Sequence, residues 1–162
     1  MRAAVGLVMA LALGGMATLV AQGNQANGQS AGTQPVGSLT IASLAIANAP
    51  IYGFGFSLKV PTDVLGGGRA DFGTIDLVRA PDVASTGLLA TAATGRHVPE
   101  VRIVVEAPTP NGDDSIYRLS DAIITKLANN NGVEQLSIAY GRIEIHTGSG
   151  NFCYDVAGSK SC

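Results

Sequence analysis

The chain has 162 residues, of which 46% are hydrophobic and 14% charged, and its formal net charge is −2. Lys and Arg are few and never clustered, which argues against a nucleic-acid binder, since neutralising phosphates takes grouped cations. The absence of Trp and the scarcity of other aromatic residues also argue against a sugar-processing cleft.

Residues 1–21, MRAAVGLVMALALGGMATLVA, place one early Arg2 before an apolar run from Ala3 to Ala21. A basic start, an apolar middle and a small residue ahead of a polar stretch read as a secretory signal peptide, cut after Ala21. The rival reading is an uncleaved anchor, because about 20 apolar residues can span a bilayer. The Gly and Ala content makes a poor anchor, and no basic cluster follows. Cleavage leaves 141 residues with nine Lys/Arg against twelve Asp/Glu, a net charge of −3, and no second apolar run of membrane length. That is enough chain for one domain with a real core, exported to the periplasm or beyond and with no membrane association after cleavage.

Residues 22–37, QGNQANGQSAGTQPVG, are polar and carry no aromatic side chain. They cannot bury enough apolar surface to offset their ordering entropy and read as a disordered leader. The domain is expected from Ser38 to Thr147. SLTIASLAIANA reads as one strand kinked near Ser43. In IYGFGFSLKV, Tyr52, Phe54, Phe56 and Leu58 share a bulky face, while Gly53, Gly55 and Ser57 leave the other bare for close approach of a second backbone. Gly66, Gly67 and Gly68 before Arg69 suggest a phosphate loop only superficially, because the spacing and the following helix are missing. A hairpin tip fits better. Beyond it, Ile75 and Leu77 are expected to face inward.

APDVASTGLLATAATG predicts the helix, with Asp82 as N-cap, a narrow apolar stripe of Leu88, Leu89 and Ala92, and Gly95 as the left-handed C-terminal cap. VPEVRIVVEA alternates, with Val101, Ile103 and Val105 on one face. PTPNGDD is a turn. SIYRLSDAIITKLANNNG fits helical and strand periods alike, and periodicity alone does not separate them. VEQLSIAYGRIEIH puts Leu136, Ile138 and Tyr140 on one parity and Ile143 and Ile145 on the other, a switch that a β-bulge at Gly141 would correct. The pattern is mainly β: a small β-barrel or sandwich of five or six strands with one short α-helix.

Cys153 and Cys162 close a short Gly/Ser-rich terminal loop. In an exported chain they are expected to form one disulfide, worth roughly 2–3 kcal/mol by loop entropy. Without nearby histidines they make no zinc site. His97 follows the helix, where it or Arg96 could bond the last helical carbonyls. A catalytic histidine needs a nucleophile or carboxylate within reach, and the chain has no G-x-S-x-G elbow. Asp113 and Asp114 offer too few oxygens for calcium. Glu100 and Glu106 sit at even separation on the exposed face of one strand. No catalytic, metal or cofactor site is expected.

Four stretches in order, IYGFGFSLKV, FGTIDLVRAPDVASTGLLATAATGRHV, IYRLSDAIITKL and VEQLSIAYGRIEI, together resemble the hemolysin-coregulated protein family, the tube protein of type VI secretion systems. The resemblance covers about residues 38–146, with Arg96 in place of the family's usual lysine. It implies that residues 116–127 are strand rather than helix, and that the fold is a barrel-like sandwich with one helix. It further implies a non-catalytic subunit that self-associates as a homohexameric ring, rings that stack into a tube, and secreted effector cargo. Glu134, Glu144 and Arg142 become candidate subunit-contact residues. The alternative is a monomeric extracytoplasmic binding module on the same fold.

Overall fold

A computed structural model describes residues 34–60 and 69–162. The expected signal peptide, most of the leader and the Gly66–Gly68 tip lie outside the described residues. The strands are β1 (Gly37–Ile41), β2 (Ile46–Ile51), β3 (Gly53–Gly55), β4 (Leu58–Lys59), β5 (Asp71–Phe72) and β6 (Ile75–Arg79). Helix α1 (Ser85–Thr94) follows, then β7 (Val98–Val105), β8 (Ser115–Asn130), β9 (Val133–Thr147), β10 (Gly150–Asp155) and β11 (Lys160–Ser161). The fold is a mainly β sandwich with one short helix, as the alternating patterns predict. Its main sheet runs β11-β10-β9-β8-β7-β1-β2, with β6 and β3 branching from β9, and among the described residues no ladder closes it into a barrel.

The segment expected to be one kinked strand is two antiparallel strands. Residues 42–44 form a 3-10 turn ended by Ala45 at φ 56°, and β1 pairs back onto β2. Gly37 opens β1 where a Cβ would lie 1.9 Å from the Val104 carbonyl oxygen, so only glycine allows the β1–β7 approach. The aromatic strand is likewise broken. β3 pairs with β6, and Phe54 and Phe56 lean on Tyr117 at centroid distances of 4.7 and 6.1 Å. Leu58 instead turns out to solvent in the separate β4–β5 pair.

Residues 115–130 form a single 16-residue strand, joined to β9 by Asn131 and Gly132 at φ 53° and 78°. Positive φ at both central residues is the two-residue hairpin turn that suits right-handed strand twist. β8 pairs with β9 along its whole length. The other edge of β9 is shared: Glu134–Ile138 pair with β6, and Arg142–Thr147 with β10.

The fork falls where three strands change facing together. Buried residues step by three instead of two from Val98 to Val101, from Leu119 to Ala122 and from Tyr140 to Ile143. The residues between include Pro99, Asp121 and Gly141, which lie level across the sheet because Glu100 pairs with Ser120 and Ser120 with Arg142. A strand's side chains alternate, so an odd step exchanges its faces. One core is thereby lined from both halves of each long strand. The bulge expected at Gly141 is absent: the register there is unbroken, and the ladder shifts instead between Ile124 and Lys126.

Ile75 and Leu77 are buried as expected, together with Val78 and Arg79. Helix α1 buries Leu88 and Thr91 against the β8 side, while Leu89 is 58% exposed and not part of its buried stripe. Asp82 is not the N-cap either. That position is Ala84, whose N–H donates to the Asp82 carboxylate at 2.9 Å, while Ser85 Oγ accepts the Asp82 N–H at 3.0 Å. Gly95 caps the other end at φ 61°, as expected.

Candidate functional site

His97 lies in the joint between α1 and β7. Its Nδ1 meets Asp121 Oδ1 at 2.5 Å, and the two side chains are 56% and 67% exposed. The helix carbonyl of Thr91 accepts the backbone N–H of Arg96, so neither the Arg96 nor the His97 side chain supplies that cap. Asp121 is held at φ 54°, the left-handed region. His97 is thus a clasp across the facing switch, reaching from the start of β7 to the residue where β8 turns its faces over.

Arg142, Glu144 and His146 share one face of β9. Arg142 donates to Glu144 at 2.7 Å, and His146 Nδ1 meets the Asn151 side-chain oxygen at 2.5 Å. They line a shallow groove of about 580 Å3 together with Phe152 and the Cys153–Cys162 disulfide. The disulfide ties β10 to β11, and on the opposite face Tyr154 stacks on Phe72 at 4.6 Å. Beyond β10, the N–H groups of Val156 and Ala157 both donate to the Gly141 carbonyl, and Arg69 donates to the Val156 carbonyl. The segment after Thr147 therefore extends the sheet and docks on the switch.

Glu134 behaves differently from Glu144. It is only 2% exposed, and its carboxylate faces Arg79 Nε at 3.4 Å within the same chain. Arg79, itself 1% exposed, also pairs with Asp82 at the helix start. The salt bridge of Glu134 is thus internal. The strand-ending Arg79 followed by Asp82 three residues on was the one available hint.

The remaining sequence candidates are dispersed. Asp114 accepts the Ala107 N–H at 2.9 Å and so shapes its turn, and Glu100 and Glu106 are exposed. Tyr140, buried at the switch, donates its hydroxyl to the Gly73 carbonyl at 3.0 Å, and burial pushes its pKa up to about 12. Burial raises Tyr117 in the same sense. No group of three or more His, Cys, Asp or Glu side chains comes together among the described residues in a way that could hold a metal. No helix of the described residues is long and apolar enough to cross a membrane.

The architecture defines a small β-sandwich with ionisable groups spread over its faces. Residues 48–146 match the family described as "Type VI secretion system effector, Hcp". The chain belongs to the Hcp family of type VI secretion tube proteins. Among solved structures it is similar to Hcp1 from Salmonella typhimurium, with 15% identity, a TM-score of 0.63, and coverage of 78% of this chain and 97% of that one. It is also similar to a type six secretion system protein, with 12% identity, a TM-score of 0.65, and coverage of 80% and 100% respectively. For Hcp1 from Flavobacterium johnsoniae the identity is 18%, the TM-score 0.53, and the coverage 72% and 98%. At such identities these structures speak for the fold. No curated protein matches the chain in sequence.

Proposed function

We propose that the chain is an exported structural subunit that assembles with copies of itself into rings or tubes and catalyses no reaction. The observation that carries this reading is membership of the Hcp family across residues 48–146, which include the facing switch, the β9 fork and the docked helix. A tube is built from repeated copies, and closed homo-oligomers place the same surfaces in every contact.

The sheet edges favour assembly through side-chain faces over strand addition. β2 carries Pro50, which lacks a donor, and Asn48 at φ 49°, both of which blunt an edge against pairing. The opposite edge ends in the disulfide-tied β10–β11 hairpin. Arg142 and Glu144, exposed and half-buried beside that hairpin, remain candidate subunit contacts. Asp121 supplies His97 with a carboxylate at 2.5 Å, and we read the pair as a clasp across the switch because no nucleophile is hydrogen-bonded to His97 among the described residues.

The expected leader would deliver the chain to the periplasm or outside, and cargo carried in a ring would be secreted protein. Two measurements test the proposal. The exported protein should begin at Gln22 by intact mass. Light scattering during gel filtration should give a hexamer or a larger species, whereas a stable monomer would favour the single-copy binding module on the same fold.

A further inference from the structure

Asp76, Ser137 and Lys126 lie level on β6, β9 and β8, since Asp76 pairs with Ser137 and Ser137 with Lys126. Residues directly opposite one another in a ladder share a face of the sheet. The core face belongs to Ile124 and Ile138, the neighbouring pair, so Asp76, Ser137 and Lys126 are on the outward side. Lys126 reaches that side only through the register shift in β8. Ile124 and Lys126 are two positions apart, and in a regular strand both would face the core. The ladder slips by one residue between them, Thr125 is left without a partner, and Lys126 comes round beside Ser137. Thr125 Oγ1 donates to the Ser137 carbonyl at 3.2 Å, which holds the bulge at this level. Bulges are over-represented beside binding and active sites, where they re-aim a side chain.

The re-aimed lysine lines a pocket of about 200 Å3 with Asp76, Val78, Gln135 and Ser137. The pocket is recessed: Val78, on the same parity of β6 as Asp76, is only 2% exposed. Opposite charges face it, and neither is neutralised within the chain. Among the described residues neither Lys126 nor Asp76 makes an ion pair, with each other or with any other group. Asp76 Oδ1 accepts from Ser137 Oγ at 2.5 Å and from Thr74 Oγ1 at 3.4 Å, which leaves Oδ2 for another donor.

We propose that this pocket binds a small dipolar solute, a free amino acid, with its carboxylate on Lys126 and its ammonium on Asp76. Adjacent strands are about 4.8 Å apart, so the two charged side chains rise from lanes roughly 10 Å apart, with the Ser137 lane between them. That gap holds two charge-assisted hydrogen bonds of about 2.8 Å and little more than the single carbon joining the two charged groups of an amino acid. Ser137 Oγ, whose proton is committed to Asp76, keeps a lone pair for the ammonium. Drug-sized ligands need pockets of about 300 Å3 or more, so size restricts the occupant to a small solute. Charge restricts it further. A simple anion leaves Asp76 unpaired and a simple cation leaves Lys126 unpaired, whereas a dipolar solute serves both. One copy of the chain suffices, so the site is independent of assembly into rings.

The full chain is titrated with L-alanine as the probe, followed by amide chemical shifts and calorimetry. Millimolar L-alanine should give saturable shifts at Asp76, Lys126 and residues 135–137. Asp76→Asn and Lys126→Met should each weaken the binding by about tenfold or more, the loss of one hydrogen bond to a charged group. Acetate and methylamine, each carrying one of the two charges, should bind more weakly than L-alanine by a similar factor. Melting temperatures check folding. If Asp76→Asn is destabilised through its contact with Ser137, Lys126→Met, at an exposed position, carries the test. An absence of saturable shifts with L-alanine, undiminished binding by Lys126→Met, or acetate binding as tightly as L-alanine would each overturn the dipolar site.

Discussion

Asp121 stands opposite Gly141 in the β8–β9 ladder, and its side chain occupies the space into which a Cβ at position 141 would project. That added atom would lie 3.3 Å from both Asp121 Cβ and Oδ2. The pair lies at the level where the sheet turns its faces over. Replacing Gly141 by Ala should cost about 1 kcal/mol, because Asp121, paired with His97, must give by a few tenths of an ångström. In an Asp121→Gly background the same replacement should cost less, since the obstructing side chain is gone. A double-mutant cycle by urea unfolding measures the coupling; equal costs in both backgrounds would contradict it.

Glu134 and Glu144 share a strand and a charge, but their loss should have very different effects. Glu134→Gln leaves a buried Arg79 guanidinium with only Asp82, and breaking such a pair typically costs about 3–5 kcal/mol. Glu144→Gln removes one half of an exposed pair, worth about 0–1 kcal/mol. Denaturant midpoints of the two variants check the contrast.

The Cys153–Cys162 link should act locally. Replacing both cysteines by serine should cost about 2–3 kcal/mol for a link spanning nine positions. Amide exchange should then quicken across residues 150–162 and leave β7 and β8 protected. Loss of protection in β8 would show that the hairpin supports the core as well.

Tyr140 makes stability fall in strong alkali. Its folded-state pKa is raised to about 12 from an ordinary value of 10.0. The folded chain therefore keeps its proton while the unfolded chain loses it. This contribution is fully present below pH 10 and is lost as the pH rises towards 12. Tyr140→Phe should flatten the fall over that window while removing the hydrogen bond to Gly73, at a cost of about 1 kcal/mol.

The sequence disclosed whatever is periodic and local. The alternation of Val101, Ile103 and Val105 and the parity change at Gly141 both follow from the pleat, and Gly95 is placed by the need for a positive φ. The three-strand alignment of Pro99, Asp121 and Gly141 was hidden, because it exists only once the strands are in register. The break after Ile41 was silent too: Ala45 takes the left-handed conformation although its side chain carries no turn signal. Leu89 reads as core by composition, yet the helix rotates it outward and buries Thr91 instead. Among the candidate contacts, Arg142 and Glu144 lie beside the β10–β11 hairpin, whereas Glu134 is buried against Arg79, 55 positions earlier in the chain.

The measurement that bears most directly on the central claim is the solution mass of the exported chain, by light scattering during gel filtration at low and at high salt. The account predicts an assembly of at least six copies at low salt. A single-chain mass under both conditions would contradict it.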